Sequence, residues 1–204
     1  KLGLINVGPH AGGRVERLSA SNKDALNGGI ERGQKLIDAA FGFGNRGAWA
    51  PDPTKVPLGA YGDSYLVRAV VAQIGFGANR NEYAVYQNAR ETGGGKTLDG
   101  SKGVYELRFA RGKTPHVSGF WSVTVYESDG FLSENAIGRY ALGSNSGLSA
   151  NEEGEIVITF AAEKPDGVPQ ENWLPVPKDT FEVTLRMFGP GEAILDGTWS
   201  APPI

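Results

Sequence analysis

The residues best suited to chemistry are two adjacent pairs, Tyr126 with Glu127 and Arg139 with Tyr140. Glu127 suits a general acid or base, and Arg139 suits stabilisation of developing negative charge. Other routes are closed by composition. Cys is 0, which removes thiol nucleophiles, disulfides and cysteine-based metal sites. His is 2, and His10 and His116 lie far apart with no carboxylate at ligand spacing, so no metal site and no Ser–His pair is expected. His116, in TPHV, reads as a turn histidine at a strand entrance. No G-x-S-x-G elbow is present. GFGNRG (42–47) has the G-x-G-x-x-G form but follows a helix pattern and opens none, so the context for cradling a phosphate is missing. The acidic run NEEGE (151–155) lacks the alternating oxygen ligands of a calcium loop and reads as a hairpin turn. No residue pattern asks for a cofactor.

Aromatic residues offer a second kind of site. Trp49, Trp121, Trp173 and Trp199 lie near turns or strand ends, where sugar-binding sandwiches place stacking platforms. Trp121 shares a strand face with Val123 and Val125 and is expected in the core. Trp173, in ENWLPVP, is expected in a proline-fixed loop and is the better binding candidate. Arg186 falls within a strand, and an inward-facing strand arginine needs a partner: a structural salt bridge, or the carboxylate or sugar hydroxyl of a ligand.

The elements that must position these residues follow from 204 residues with 30 Gly and 12 Pro, a turn-rich chain long enough for one large domain. A formal charge of −3 and no basic stripe argue against nucleic acid. No apolar run reaches the length of a membrane span. Residues 1–17 read as a glycine-broken arm. Leu26, Ile30, Gly33, Ile37 and Phe41 then recur at helical spacing behind Ser21 and Asp24, which resemble a capping box. After a proline-punctuated connector, YLVRAVVAQI (65–74) predicts a second helix, capped by Asp63 or Ser64 and apolar on most faces, hence buried. From residue 79 the period becomes that of strands: EYAVYQ, VYELRF (104–109), GFWSVTVYES (119–128), EIVITFAA (155–162) and FEVTLRMF (181–188). Turn signals separate them, among them Asp129-Gly130, Glu153-Gly154 and Asp196-Gly197. The fold class is mainly β: an antiparallel, jelly-roll-like β-sandwich with one or two N-terminal helices.

An ordered set of motifs carries a family resemblance. YGDSYLVRAVVAQIGFGAN (61–79) is followed by LDG (98–100), FWSVTVYESDGF (120–131), GRYALG (138–143), ENWLPVP (171–177), FEVTLRMFGP (181–190) and LDGTWSAPPI (195–204). In that order they resemble the DUF1214 domain, which usually forms the C-terminal half of proteins beginning with a DUF1254 domain. The resemblance divides the chain into an arm, helix and connector over 1–56 and a sandwich domain over 57–204. It implies a jelly-roll-like sandwich and no assigned activity. Tyr126, Glu127, Asn135, Arg139, Tyr140, Asn172 and Trp173 match its pattern.

Two functions are expected from these readings. One is a binding domain for a carbohydrate or other small polar ligand, held by Arg139, Tyr140, Asn135, Asn172 and Trp173, or for a separate DUF1254-like chain or a second copy of itself. The other is a hydrolase or lyase working through Glu127, Tyr126 and Arg139 on a carbohydrate-like substrate. The opening Lys1 and the arm 1–17 suggest a processed or naturally split C-terminal fragment, and processing favours a secreted or periplasmic setting.

Overall fold

The computed structural model describes residues 19–42, 49–56, 58–75 and 77–204. The arm 1–17, His10 and most of GFGNRG lie outside the described residues. Two helices come first, α1 (Ala20–Gly42) and α2 (Tyr65–Ile74). Seven strands follow: β1 (Ala84–Ala89), β2 (Tyr105–Phe109), β3 (Trp121–Glu127), β4 (Ala141–Gly143), β5 (Ile156–Ala161), β6 (Trp173–Pro175) and β7 (Phe181–Phe188). A short helix, α3 (Glu192–Leu195), lies beyond them.

The strands form a four-stranded sheet, β1-β7-β3-β4, and a three-stranded sheet, β2-β5-β6. All pairs are antiparallel except β5 with β6. The sheets are thus mostly antiparallel, as expected, with that one parallel pair. The chain leaves β5, passes through a 3-10 turn at Gln170–Asn172 and re-enters β6 in the same direction. Among the described residues there are seven strands where a jelly roll has eight.

Alternation sets the two faces. Trp121, Val123 and Val125 point inward with Val183, Leu185 and Met187, and each is at most 4% exposed. They meet Leu107, Phe109, Ile158 and Phe160 of the other sheet in one core. Rings cross the gap between sheets: Phe109 lies 5.2 Å from Trp121, and Phe160 6.4 Å from Phe181. Each such side chain contributes roughly 1.5–3 kcal/mol on burial. Trp49 joins this core, because Ala50 exchanges two backbone hydrogen bonds with Asn88 of β1.

The helices depart from expectation in two ways. The cap of α1 is Ser19, whose hydroxyl accepts from the Asn22 N–H, rather than Ser21. The apolar α2 is not buried: Leu66 is exposed, and Val67, Val70 and Val71 are half-buried. Its principal contact is α1 rather than a strand. Gln34 of α1 donates to Gln73 of α2 at 2.9 Å. Sequence periodicity showed that α2 wants cover but not where the cover is. No described helix is long and apolar enough to cross a membrane.

Candidate functional site

Four of the nominated residues come together at the edge where the 133–140 loop meets the 170–175 segment. Each holds backbone. Asn135 closes its own loop: its Nδ2 donates to the carbonyls of Ser133 and Arg139, and its Oδ1 accepts from the Arg139 N–H at 3.0 Å. The Arg139 Nη1 donates to the carbonyls of Gln170 and of Trp173, the latter at 2.9 Å. Asn172, 4% exposed, donates to Ser149 O and Val157 O and accepts from the Ser149 N–H and hydroxyl. Trp173 starts β6 rather than occupying a loop, and its indole N–H donates to Ala161 O at 2.9 Å. A buried backbone group without a partner is costly. These side chains supply the missing partners in a region of three-residue strands.

Tyr126 and Glu127 are not brought to this edge as a pair. Strand alternation sends them to opposite faces of the four-stranded sheet: Tyr126 lies outward, and Glu127 shares the side of Phe181, its partner in register. The half-buried Tyr140 gives its backbone carbonyl to the Val125 N–H.

The outward face of this sheet carries a polar array. Arg186 lies across β3, donating from Nη1 to Thr124 Oγ1 at 3.0 Å and from Nη2 to Tyr126 Oη at 2.7 Å. Its guanidinium carbon is 5.4 Å from the centre of the Tyr126 ring. The expected salt bridge is absent: among the described residues Arg186 meets hydroxyls and a ring, and no carboxylate. Thr184 in the next row donates to Asn88 Oδ1 at 2.8 Å.

The described residues also line two hollows. One, about 340 Å³, lies between Trp49 and Trp199 and is also lined by Gln87, Asp52, Asp196 and Ile194. That is at the small end of ligand pockets. Asp52 and Asp196 each close an Asp-x-Thr turn, accepting from Thr54 and Thr198. The Thr54 hydroxyl, then its N–H, then Lys55 bring the Asp52 carboxyl down to about 2. The Thr198 N–H, then its hydroxyl, likewise lower Asp196. The other hollow, about 220 Å³, lies over β2 and β5 beside Arg108. There Glu155 and Glu106 each meet Arg108 at 2.7 Å, which raises the arginine and, with Asn151, lowers Glu155. Among the described residues no three His, Cys, Asp or Glu side chains gather as metal ligands.

The ordered motifs can now be set against known proteins. A family model described as a protein of unknown function, DUF1214, matches residues 83–192, more than half of the chain. The chain belongs to the DUF1214 family. The matched stretch runs from the approach to β1 through β7, so the family signature coincides with the sandwich. The VPA0106 protein from Vibrio parahaemolyticus is similar at 26% identity with a TM-score of 0.65, over 91% of this chain and 45% of that one. A putative uncharacterized protein from Burkholderia cenocepacia is similar at 16% identity and a TM-score of 0.43, over 61% of this chain and 30% of that one. This DUF1214 chain thus spans less than half the length of the Vibrio protein. The sequence matches no curated protein.

Sequence reasoning missed the hollow between Trp49 and Trp199, although it carries a signal. Trp49 precedes the Asp52-Pro53-Thr54 turn, and Trp199 directly follows the Asp196-Gly197-Thr198 turn. Two tryptophans beside two Asp-x-Thr turns mark two loops of one construction.

Proposed function

We propose that this DUF1214 chain is a non-catalytic module that pairs with a second folded body, a DUF1254-like half, through its helix pair α1 and α2. The observation that carries the reading is the apolar surface of α1 and α2. Ile30 is 62% exposed, Leu36 61% and Tyr65 68%. Leu26 and Leu66 add to the same two helices. Scattered apolar residues on a surface are ordinary, but five on two helices that pack mainly on each other make a surface suited to a partner. The Vibrio relative supports the reading, since 91% of this chain matches less than half of that longer protein.

Native mass spectrometry of protein isolated from its own cells, followed by denaturing mass of the same sample, tests this. A second polypeptide that is present natively, departs on denaturation, and is lost from an Ile30→Glu, Leu36→Glu variant is the expected result. A native species that contains this chain alone, with no DUF1254-like partner, would overturn the pairing.

A second reading, binding of a carbohydrate or other small polar ligand, is favoured by the hollow between Trp49 and Trp199. Its indole rings, beside the carboxylates of Asp52 and Asp196, suit a sugar. Trp199 is only half-buried, so quenching of tryptophan emission by a glycan series, lost in Trp199→Ala, would carry it. The hydrolase or lyase reading needs Glu127 beside Tyr126 or Arg139. With Tyr126 on the opposite face and Arg139 engaged by two carbonyls, no observation favours it.

A further inference from the structure

We propose that the outward face of the four-stranded sheet holds a binding site for a small organic carboxylate, centred on Arg186. The proposal is independent of the pairing through α1 and α2 and concerns a different surface.

The first support is the isolation of the charge. Arg80, Arg90 and Arg108 each meet a carboxylate. Arg186 is half-buried and meets none among the described residues. A guanidinium has five N–H donors, and the hydrogen bonds to Thr124 and Tyr126 use only part of that fork. A cation partly withdrawn from water without an anion is a costly arrangement. A carboxylate in bidentate contact would relieve it.

The second support is the polarity of the neighbours. Thr124 and Tyr126 accept from Arg186, so their own hydroxyl hydrogens point elsewhere. Tyr86, opposite Arg186 in the β1–β7 register, accepts from Asn79 at 2.7 Å and is in the same condition. Asn88 accepts through Oδ1 from Thr184, which leaves its amide hydrogens free of that contact. The carboxylate on this face of β7, Glu182, is engaged by Arg90. The middle of the sheet therefore presents hydrogen-bond donors around a positive charge, the complement of an oxyanion.

The third support defines the rest of the ligand. Beside the Arg186 row, Phe188 stacks on Phe120 with centroids 4.6 Å apart and meets Tyr86 edge-on at 6.1 Å. Phe120 is 40% exposed. An apolar body can lie on these rings while its carboxylate reaches Arg186, so an arylcarboxylate or a short-chain carboxylate fits better than inorganic phosphate.

The test is an amide NMR titration of the whole chain at fixed ionic strength with benzoate, benzyl alcohol and inorganic phosphate. Saturable shifts confined to β1, β3 and β7 with benzoate, and tighter binding of benzoate than of either other probe, are expected. Arg186→Gln should weaken benzoate by about tenfold to a hundredfold, the range of a charge-assisted hydrogen bond. Tyr126→Phe, which removes only a hydroxyl, should weaken it about threefold to tenfold. If Arg186→Gln does not fold, Tyr126→Phe and the benzoate-to-benzyl-alcohol ratio decide. Non-saturating benzoate shifts, tighter binding of phosphate, benzyl alcohol equal to benzoate, or affinity unchanged in the variants would each overturn the site.

Discussion

Asn172 and Ser149 form a side chain-to-backbone pair that imitates a strand ladder. The Asn172 amide donates to Ser149 O at 2.9 Å and accepts from Ser149 N at 2.9 Å. It thereby fastens the 170–175 segment to the chain entering β5. Asn172→Ala leaves the Ser149 N–H and the carbonyls of Ser149 and Val157 without this partner. A loss of about 2–4 kcal/mol is expected. Denaturant unfolding should show a lower midpoint with an unchanged slope.

Gly143 of β4 stands where a side chain cannot. A Cβ there would lie 2.1 Å from the Trp121 carbonyl oxygen and 2.8 Å from the Ser122 Cα, both backbone atoms of β3. Gly143→Ala must push β4 off its neighbour. We expect a loss of about 3 kcal/mol or more, beyond ordinary overpacking. Amide exchange should show β4 opening first, with β7 still protected.

The acid limb of stability should carry the mark of Asp52. Its carboxyl is brought from its ordinary 3.8 to about 2, first by the Thr54 hydroxyl. A group depressed in the folded state stabilises above its unfolded value, and that contribution is lost as pH falls through the folded one. The window for Asp52 therefore runs downward from 3.8 to about 2. Asp99, lowered first by the Ser101 hydroxyl, and Asp196, lowered first by the Thr198 N–H, act in the same direction. In Asp52→Asn, thermal melting should depend less steeply on pH across that window and be unchanged in slope near neutrality.

Changing the exposed surface of α1 should leave the sandwich alone. Ile30→Glu with Leu36→Glu removes exposed apolar area from α1, whose principal contact is α2. The unfolding free energy of the sandwich should move by no more than the ~0.5 kcal/mol typical of surface changes. Solubility of the isolated chain should rise. A large fall in melting temperature would mean that α1 is part of the core assembly after all.

The strands were legible where the chain is long enough to show alternation. FEVTLRMF marks β7 to the residue, and Trp121, Val123 and Val125 face inward as their spacing implies. β4 and β6 were not legible because three residues cannot display a period. The motif residues were legible as a set but not in their roles. Arg139, Asn172 and Trp173 are polar or aromatic residues near turns, which is also what a ligand site looks like. Only their carbonyl partners, 12 to 34 positions away in the chain, reveal that they hold backbone. Arg186 was legible as an oddity, a charge inside a strand, whereas the hydroxyls around it come from a different strand and needed the register to be seen.

The position of β7 has a consequence for the making of the protein. β7 is the last described strand, yet it lies between β1 and β3 and is the one strand of this sheet, among the described residues, that pairs with β1. During synthesis β1 must wait from Ala89 to Phe181 for that neighbour. At the usual ~5–20 residues per second the wait is about 5–20 s. Throughout it, Val85 and the inward face of β3 have no finished sheet to close over them. Exposed β1 and β3 are therefore expected to need protection until β7 emerges, and a ribosome stalled before β7 is expected to leave an aggregation-prone product rather than a smaller domain.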